Sequence, residues 1–163
     1  MGKQIVDLAM ERLQEVKDPE IPSVSVLELG MIQSVSVTER TLCVQALPTF
    51  VGCPALDFIK KNIQEALEGL SGIDEVKVEF AQHPPWTSDR ISEEGREKLK
   101  EFGIAPPPVF HEGEGMWAVE CPYCGSDYTT VENLFGPTAC RSILYCKACK
   151  NPFEAMRPVS DLM

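Results

Sequence analysis

Two cysteine pairs near the C-terminal end constrain this chain more than any other feature. Cys121-Pro-Tyr-Cys124-Gly125 and Cys146-Lys-Ala-Cys149-Lys150 are Cys-x-x-Cys knuckles separated by residues 125–145. Two intervening residues let a tight turn aim both thiolates at one ion. Two such turns complete the tetrahedron of zinc, with sulfur at about 2.3 Å. Glycine at position 125 suits the turn that closes the first pair. The separation lies just beyond the usual range of about 15–20 residues for paired knuckles. Tetrahedral sulfur suits iron as well as zinc, so the residues leave that choice open. The β-prone stretches 128–132 and 142–145 predict the strands of a zinc ribbon around a structural Zn2+. A segment of about 45 residues seldom builds a sufficient apolar core, and a metal staple is the common solution. A thioredoxin-type dithiol would follow a strand and open a helix, which neither Cys121 nor Cys146 does. Cys140 has the wrong spacing for a fifth ligand; a small buried residue and a functional thiol are both open for it.

The preceding hundred residues follow a different pattern. Ile5, Leu8, Ala9, Leu13 and Val16 recur at helical spacing and predict an amphipathic helix over 3–17, ended by Pro19. Asp18-Pro-Glu-Ile-Pro22 reads as a rigid, extended acidic segment. Strands are predicted at 31–38 and 41–47, joined at Glu39-Arg40, because Leu42, Val44 and Ala46 alternate with Thr41, Cys43 and Gln45. A helix over 54–70 buries Leu56, Ile59, Ile63, Leu67 and Leu70, and a third strand holds Val76, Val78 and Phe80. A short helix over 92–102 has Ser92 as its N-cap and Gly103 as its stop. The order predicts an α+β fold, a two-layer helix/sheet sandwich with a C-terminal zinc-ribbon module. The expected organisation is 1–103 for the α+β domain, 104–115 for a Pro/Gly-rich linker and 116–163 for the ribbon.

Charge and cysteine usage narrow the function classes. With 15 basic against 25 acidic side chains, the formal charge is −10, and such a surface repels phosphate backbones. No nucleic-acid partner is expected. No stretch approaches the roughly 20 apolar residues of a membrane span, and the first residues lack the apolar core of a signal peptide. A cytoplasmic protein without a membrane partner is expected, its seven cysteines serving metal or thiol chemistry rather than disulfides.

Cys53 follows Gly52 and precedes Pro54, which places it at the predicted start of the second helix. Backbone N–H groups and the helix dipole there favour a thiolate. A metal-holding or nucleophilic thiol and a buried cysteine near the cap are both open readings. No histidine lies close in sequence to serve as its base. Asp18 and Glu20 are candidate carboxylate ligands or simply solvated acids. His83 and His111 fall in loops and Cys43 in a strand, while Trp86 reads as a residue packed over the sheet, with the lining of a pocket as the alternative.

Asp18-Pro-Glu-Ile-Pro22, Leu29-Gly-Met-Ile32, the Pro48-Thr49…Gly52-Cys53-Pro54 loop and Pro85-Trp-Thr87 resemble the metal–sulfur cluster biosynthetic family, which includes the SufT-like proteins. Phe135-Gly-Pro-Thr-Ala-Cys140, Cys146-x-x-Cys149 and Pro152-Phe153 resemble its PaaD branch, the D proteins of the phenylacetyl-CoA epoxidase system. The resemblance covers nearly the whole chain. It implies an accessory factor, not an enzyme by itself, that matures the iron–sulfur or diiron centres of phenylacetyl-CoA epoxidase in aerobic phenylacetate degradation. Implied partners are the oxygenase and reductase components or iron–sulfur assembly proteins. Carried over, the functional positions are Cys53, with transient iron or an iron–sulfur cluster, and Asp18 and Glu20. Phe50-Val51 before Gly52 departs from the smaller or hydroxylated residues of many relatives. The alternative is an integral non-catalytic or electron-transfer subunit of the oxygenase complex. No flavin, haem, dinucleotide or diiron helix motif is visible to support a catalytic component.

Overall fold

The computed structural model describes residues 2–49, 54–107, 119–137 and 141–156. It divides into two compact units, one built from 2–48 and 54–86 and the other from Thr87 onward. Among the described residues, no helix is long and apolar enough to cross a membrane.

In the first unit the elements run α1 (Gly2–Leu13), β1 (Ile32–Thr38), β2 (Thr41–Ala46), α2 (Leu56–Leu67) and β3 (Glu75–Phe80). The three strands form a sheet of order β1-β2-β3. β1 and β2 are an antiparallel hairpin, and Glu39 takes a positive φ of 57° in its turn. β2 and β3 are parallel and connected by α2, with Leu42 opposite Val76 and Val44 opposite Val78. Both helices pack on the sheet and on each other. Their stripes of Ala9, Leu13, Ile59, Ile63 and Leu67 close over Leu42, Val44, Ala46 and Val78, all buried. Burying each large aliphatic side chain contributes about 1.5–3 kcal/mol. Ser34, Ser36, Gln45, Lys77 and Glu79 are exposed or half-exposed, so the sheet alternates as a one-sided layer must. Arg12 of α1 donates to the Ala66 and Glu68 carbonyls at 3.1 and 3.0 Å, satisfying the end of α2.

The segment between α1 and β1 differs from its prediction. The helix ends at Leu13, because the Val16 carbonyl is taken by the Val26 N–H at 2.9 Å and Val16 turns inward. Asp18-Pro22 is a turn rather than an extended strip. One Asp18 carboxylate oxygen accepts the Glu20 and Ile21 N–H groups at 2.8 and 3.2 Å, the local bonding that makes Asp a turn residue. Ile21, Val24, Val26, Leu29 and Met31 behind it are buried. Trp86, 4% exposed, donates its indole N–H to the Leu29 carbonyl at 2.8 Å and so pins the loop from the far end of the unit. The sequence suggests packing over the sheet for this ring; the structure buries it and bonds it to the loop before β1.

In the second unit a 3-10 turn (Ser88–Arg90) leads to α3 (Glu93–Phe102). The Ser92 hydroxyl accepts the Gly95 N–H at 3.0 Å, and Gly103 closes the helix with a φ of 90°, as predicted. No linker follows at once. Ile104–Ala105, placed by the sequence in the linker, form β4, paired in parallel with β7 (Pro152–Met156). With β5 (Thr129–Asn133) and β6 (Arg141–Cys146) they make a four-stranded sheet of order β4-β7-β6-β5. Neither β4 nor β7 is among the predicted strands. The ribbon core joins Ala105, Val119, Leu144, Phe153 and Ala155 to Cys121 and Cys146. Between β6 and β7, the buried Arg141 pairs with Glu154 at 2.9 Å.

Candidate metal centre

Both knuckles are built by the same local bonding. After the first pair, the Gly125 N–H returns to the Cys121 carbonyl at 2.8 Å; after the second, the Lys150 N–H returns to the Cys146 carbonyl at 2.8 Å. Each closing residue takes a positive φ, 75° at Gly125 and 62° at Lys150. The Cys121 N–H bonds to the Ser126 carbonyl and the Cys146 N–H to the Asn151 carbonyl, anchoring each loop at its base. The predicted glycine turn is present, and its counterpart is achieved by a lysine.

These turns aim the four sulfurs at one point. Every Sγ of Cys121, Cys124, Cys146 and Cys149 lies within 4.8 Å of the others. Cys121 and Cys149 are 3.7 Å apart and Cys124 and Cys146 3.6 Å. Sulfurs at about 2.3 Å from a central ion in a tetrahedron would stand about 3.8 Å apart, so the cluster fits zinc in size and donor type. All four are free thiols rather than disulfides. Four sulfurs leave no open position, which is the mark of a structural site.

The surroundings stabilise thiolates unevenly. The Cys149 N–H points at the Cys146 sulfur and the Asn151 side-chain amide at the Cys149 sulfur, both at 3.5 Å. This Asn151 bond, ahead of the opposing effect of desolvation, holds the Cys149 thiol down to about 7. At Cys124 the Ser126 backbone favours the thiolate. Desolvation and the hydrogen bonds to Cys146, Cys149 and Cys121 outweigh it and push that thiol up to about 11. Asn151 was not singled out by sequence reasoning. Its one signal is its place just past the second knuckle, where thiolates need N–H donors.

The remaining candidates fall elsewhere. Asp18 and Glu20 are both half-buried, in the turn of the first unit. Cys43 is half-buried in β2, and His83 is exposed in a loop. Cys53, Cys140 and His111 lie outside the described residues, so no geometry is stated for them.

Comparison with known proteins assigns a class to each unit. Residues 7–80 match the family model of the iron–sulfur cluster assembly protein, and residues 105–157 match that of the PaaD zinc beta ribbon domain. The chain is 35% identical over 147 residues to an Escherichia coli protein named as the D component of 1,2-phenylacetyl-CoA epoxidase, covering 87% of this chain and 86% of that protein. It is 38% identical over 88 residues to the "Fe-S protein maturation auxiliary factor" of Porphyromonas gingivalis, covering 53% of this chain and 83% of that one. A solved domain of unknown function from Bacillus anthracis shares the fold, with a TM-score of 0.56 at 23% identity over 60% of this chain and 93% of its own. This chain therefore belongs to the PaaD family, in which an iron–sulfur cluster assembly domain is joined to a zinc ribbon.

Proposed function

We propose that this protein is an accessory maturation factor for the iron–sulfur or diiron centres of a phenylacetyl-CoA epoxidase in aerobic phenylacetate degradation. One observation carries the reading: the iron–sulfur assembly module and the PaaD ribbon stand on a single chain that matches the Escherichia coli epoxidase component across most of its length. In this reading Cys121, Cys124, Cys146 and Cys149 hold one structural zinc ion. The bound metal ties the two knuckles together and does no chemistry on a substrate, since four thiolates close its coordination. The ribbon then supports contact with the client, either the oxygenase and reductase components or other iron–sulfur assembly proteins in the cytoplasm. Cys53 is the thiol that contacts iron or a cluster in transit. A single thiolate supplies one ligand, so other chains complete the coordination of that cargo. Asp18 shapes the turn that presents Glu20.

The experiment is a deletion strain. Epoxidase polypeptides should accumulate at normal levels with reduced iron and cluster content, and Cys53→Ala should reproduce the deficit. Isolated, fully metallated epoxidase should turn over without this protein. The Escherichia coli relative is named as a component of the enzyme itself, which favours a second reading: an integral non-catalytic or electron-transfer part of the complex. Oxygenase and reductase that carry full metal in the deletion strain yet remain inactive would establish that reading instead.

A further inference from the structure

We propose that the second unit docks a basic, apolar-flanked segment of a partner protein in an aromatic groove beside the first metal knuckle. The groove, about 420 Å³, is lined by Phe102 and Gly103 at the end of α3, Tyr123 of the knuckle, Ile143 of β6, and Phe153 and Glu154 of β7. That volume lies in the range of sites that hold small ligands or single side chains, about 300–1,000 Å³. Two of its rings are turned to solvent: Phe102 is 47% exposed and Tyr123 is 61% exposed. Gly103 contributes no side chain, and the Tyr123 hydroxyl stands 3.9 Å from where a Cβ there would sit.

Charge complementarity selects the occupant. Among the described residues, the one charged group in the lining is the carboxylate of Glu154, balanced by its ion pair with Arg141 at 2.9 Å, so the excess negative charge comes from the knuckle and from Glu101. Tyr123 sits between Cys121 and Cys124, and four thiolates around a divalent ion held there would leave a net charge of two negatives next to that wall. Glu101 is exposed beside Phe102. Aromatic faces against an acidic rim attract a guanidinium or ammonium group by cation–π and Coulomb interaction, while apolar neighbours of that cation cover Ile143 and Pro152. The same acidity disfavours nucleic acid. The inference rests on the metal-holding reading of the ribbon for the position of Tyr123, which the knuckle fixes, and for the two negative charges beside it.

The test titrates the full-length protein with acetyl-Gly-Leu-Arg-Leu-Gly-amide, following amide shifts by NMR, with zinc and iron content measured on the same sample. The controls are the same peptide with Glu for Arg and a short single-stranded DNA. We expect saturable shifts centred on residues 102–103, 123 and 153–154, with the acidic peptide at least about tenfold weaker and the DNA silent. Phe102→Ala and Tyr123→Ala should each weaken the basic peptide by about 3–30-fold, the range of a single cation–π contact, without changing metal content. Equal binding of both peptides, preferential binding of the DNA, shifts elsewhere, or no binding by metal-loaded protein overturns the proposal. Protein that contains no metal yet binds the basic peptide at these residues keeps the groove and refutes the metal-holding reading alone.

Discussion

Lys150 and Gly125 occupy equivalent places in the two knuckles, yet only one of them is suited to a left-handed backbone. A non-glycine residue there costs about 1 kcal/mol relative to glycine. Lys150→Gly should therefore tighten metal binding by an equivalent of about 0.5–1 kcal/mol, and Gly125→Ala should weaken it by about 1 kcal/mol or more. No atom lies within 4 Å of a Cβ added at Gly125, so that cost is conformational, not steric. Competition with a chelator of known affinity measures both changes. The same assay reads the pH dependence. Binding displaces the proton of every thiol still protonated, so affinity should fall as pH falls. The fall should steepen below about 7, where Cys149 also takes up a proton. Cys124, held up at about 11, must lose its proton on binding throughout the neutral range.

At the scale of elements, α3 shows local sequence and structure in full agreement. Ser92, Gly95 and Gly103 sit where capping chemistry puts them, and Ser92→Ala should cost about 1 kcal/mol, read as faster hydrogen exchange over 93–102. The loop of residues 14–31 is the opposite case. Its prolines and acids suggest an extended, solvated strip, but Asp18 bonds to its own backbone and a distant indole reaches Leu29. Trp86→Phe keeps a ring and orphans that buried carbonyl. We expect it to destabilise the first unit by about 1–3 kcal/mol in chemical denaturation. β4 shows the same limit of local reading. Two residues carry no periodicity, and Ile104 and Ala105 become a strand only because β7 offers an edge.

For the whole molecule, the extent of the second unit matters most. Ile104 and Ala105 are buried at 1% and 0%, and Ala105 shares a core with Cys121 and Cys146. α3 is continuous with β4 through Gly103, and Arg96 bonds to the Pro107 and Ser88 carbonyls. Removing the metal should therefore deprotect 93–105 together with β5–β7, while β1–β3 retain their protection. Hydrogen exchange with mass spectrometry before and after chelation checks this. Protection of α3 that survives loss of the ribbon would show instead that the helix folds independently of it.

Residue type and short spacing carried the part of this protein that was legible along the chain. The thiol pairs, the caps of α3, the alternation of β2 and the α2 stripe all rest on contacts between residues a few positions apart, and each stands where its pattern puts it. The likeness of both modules to the PaaD family was visible for the same reason, because it resides in short motifs. Folding in three dimensions settled whatever depends on distant partners. The lysine turn of the second knuckle, the amide of Asn151 over Cys149, the joining of β4 to β7 and the pinning of the Asp18 loop by Trp86 have no periodic signature. Each is set by which backbone groups and surfaces the folded chain brings within hydrogen-bonding distance, and that information is not local to any stretch of the chain.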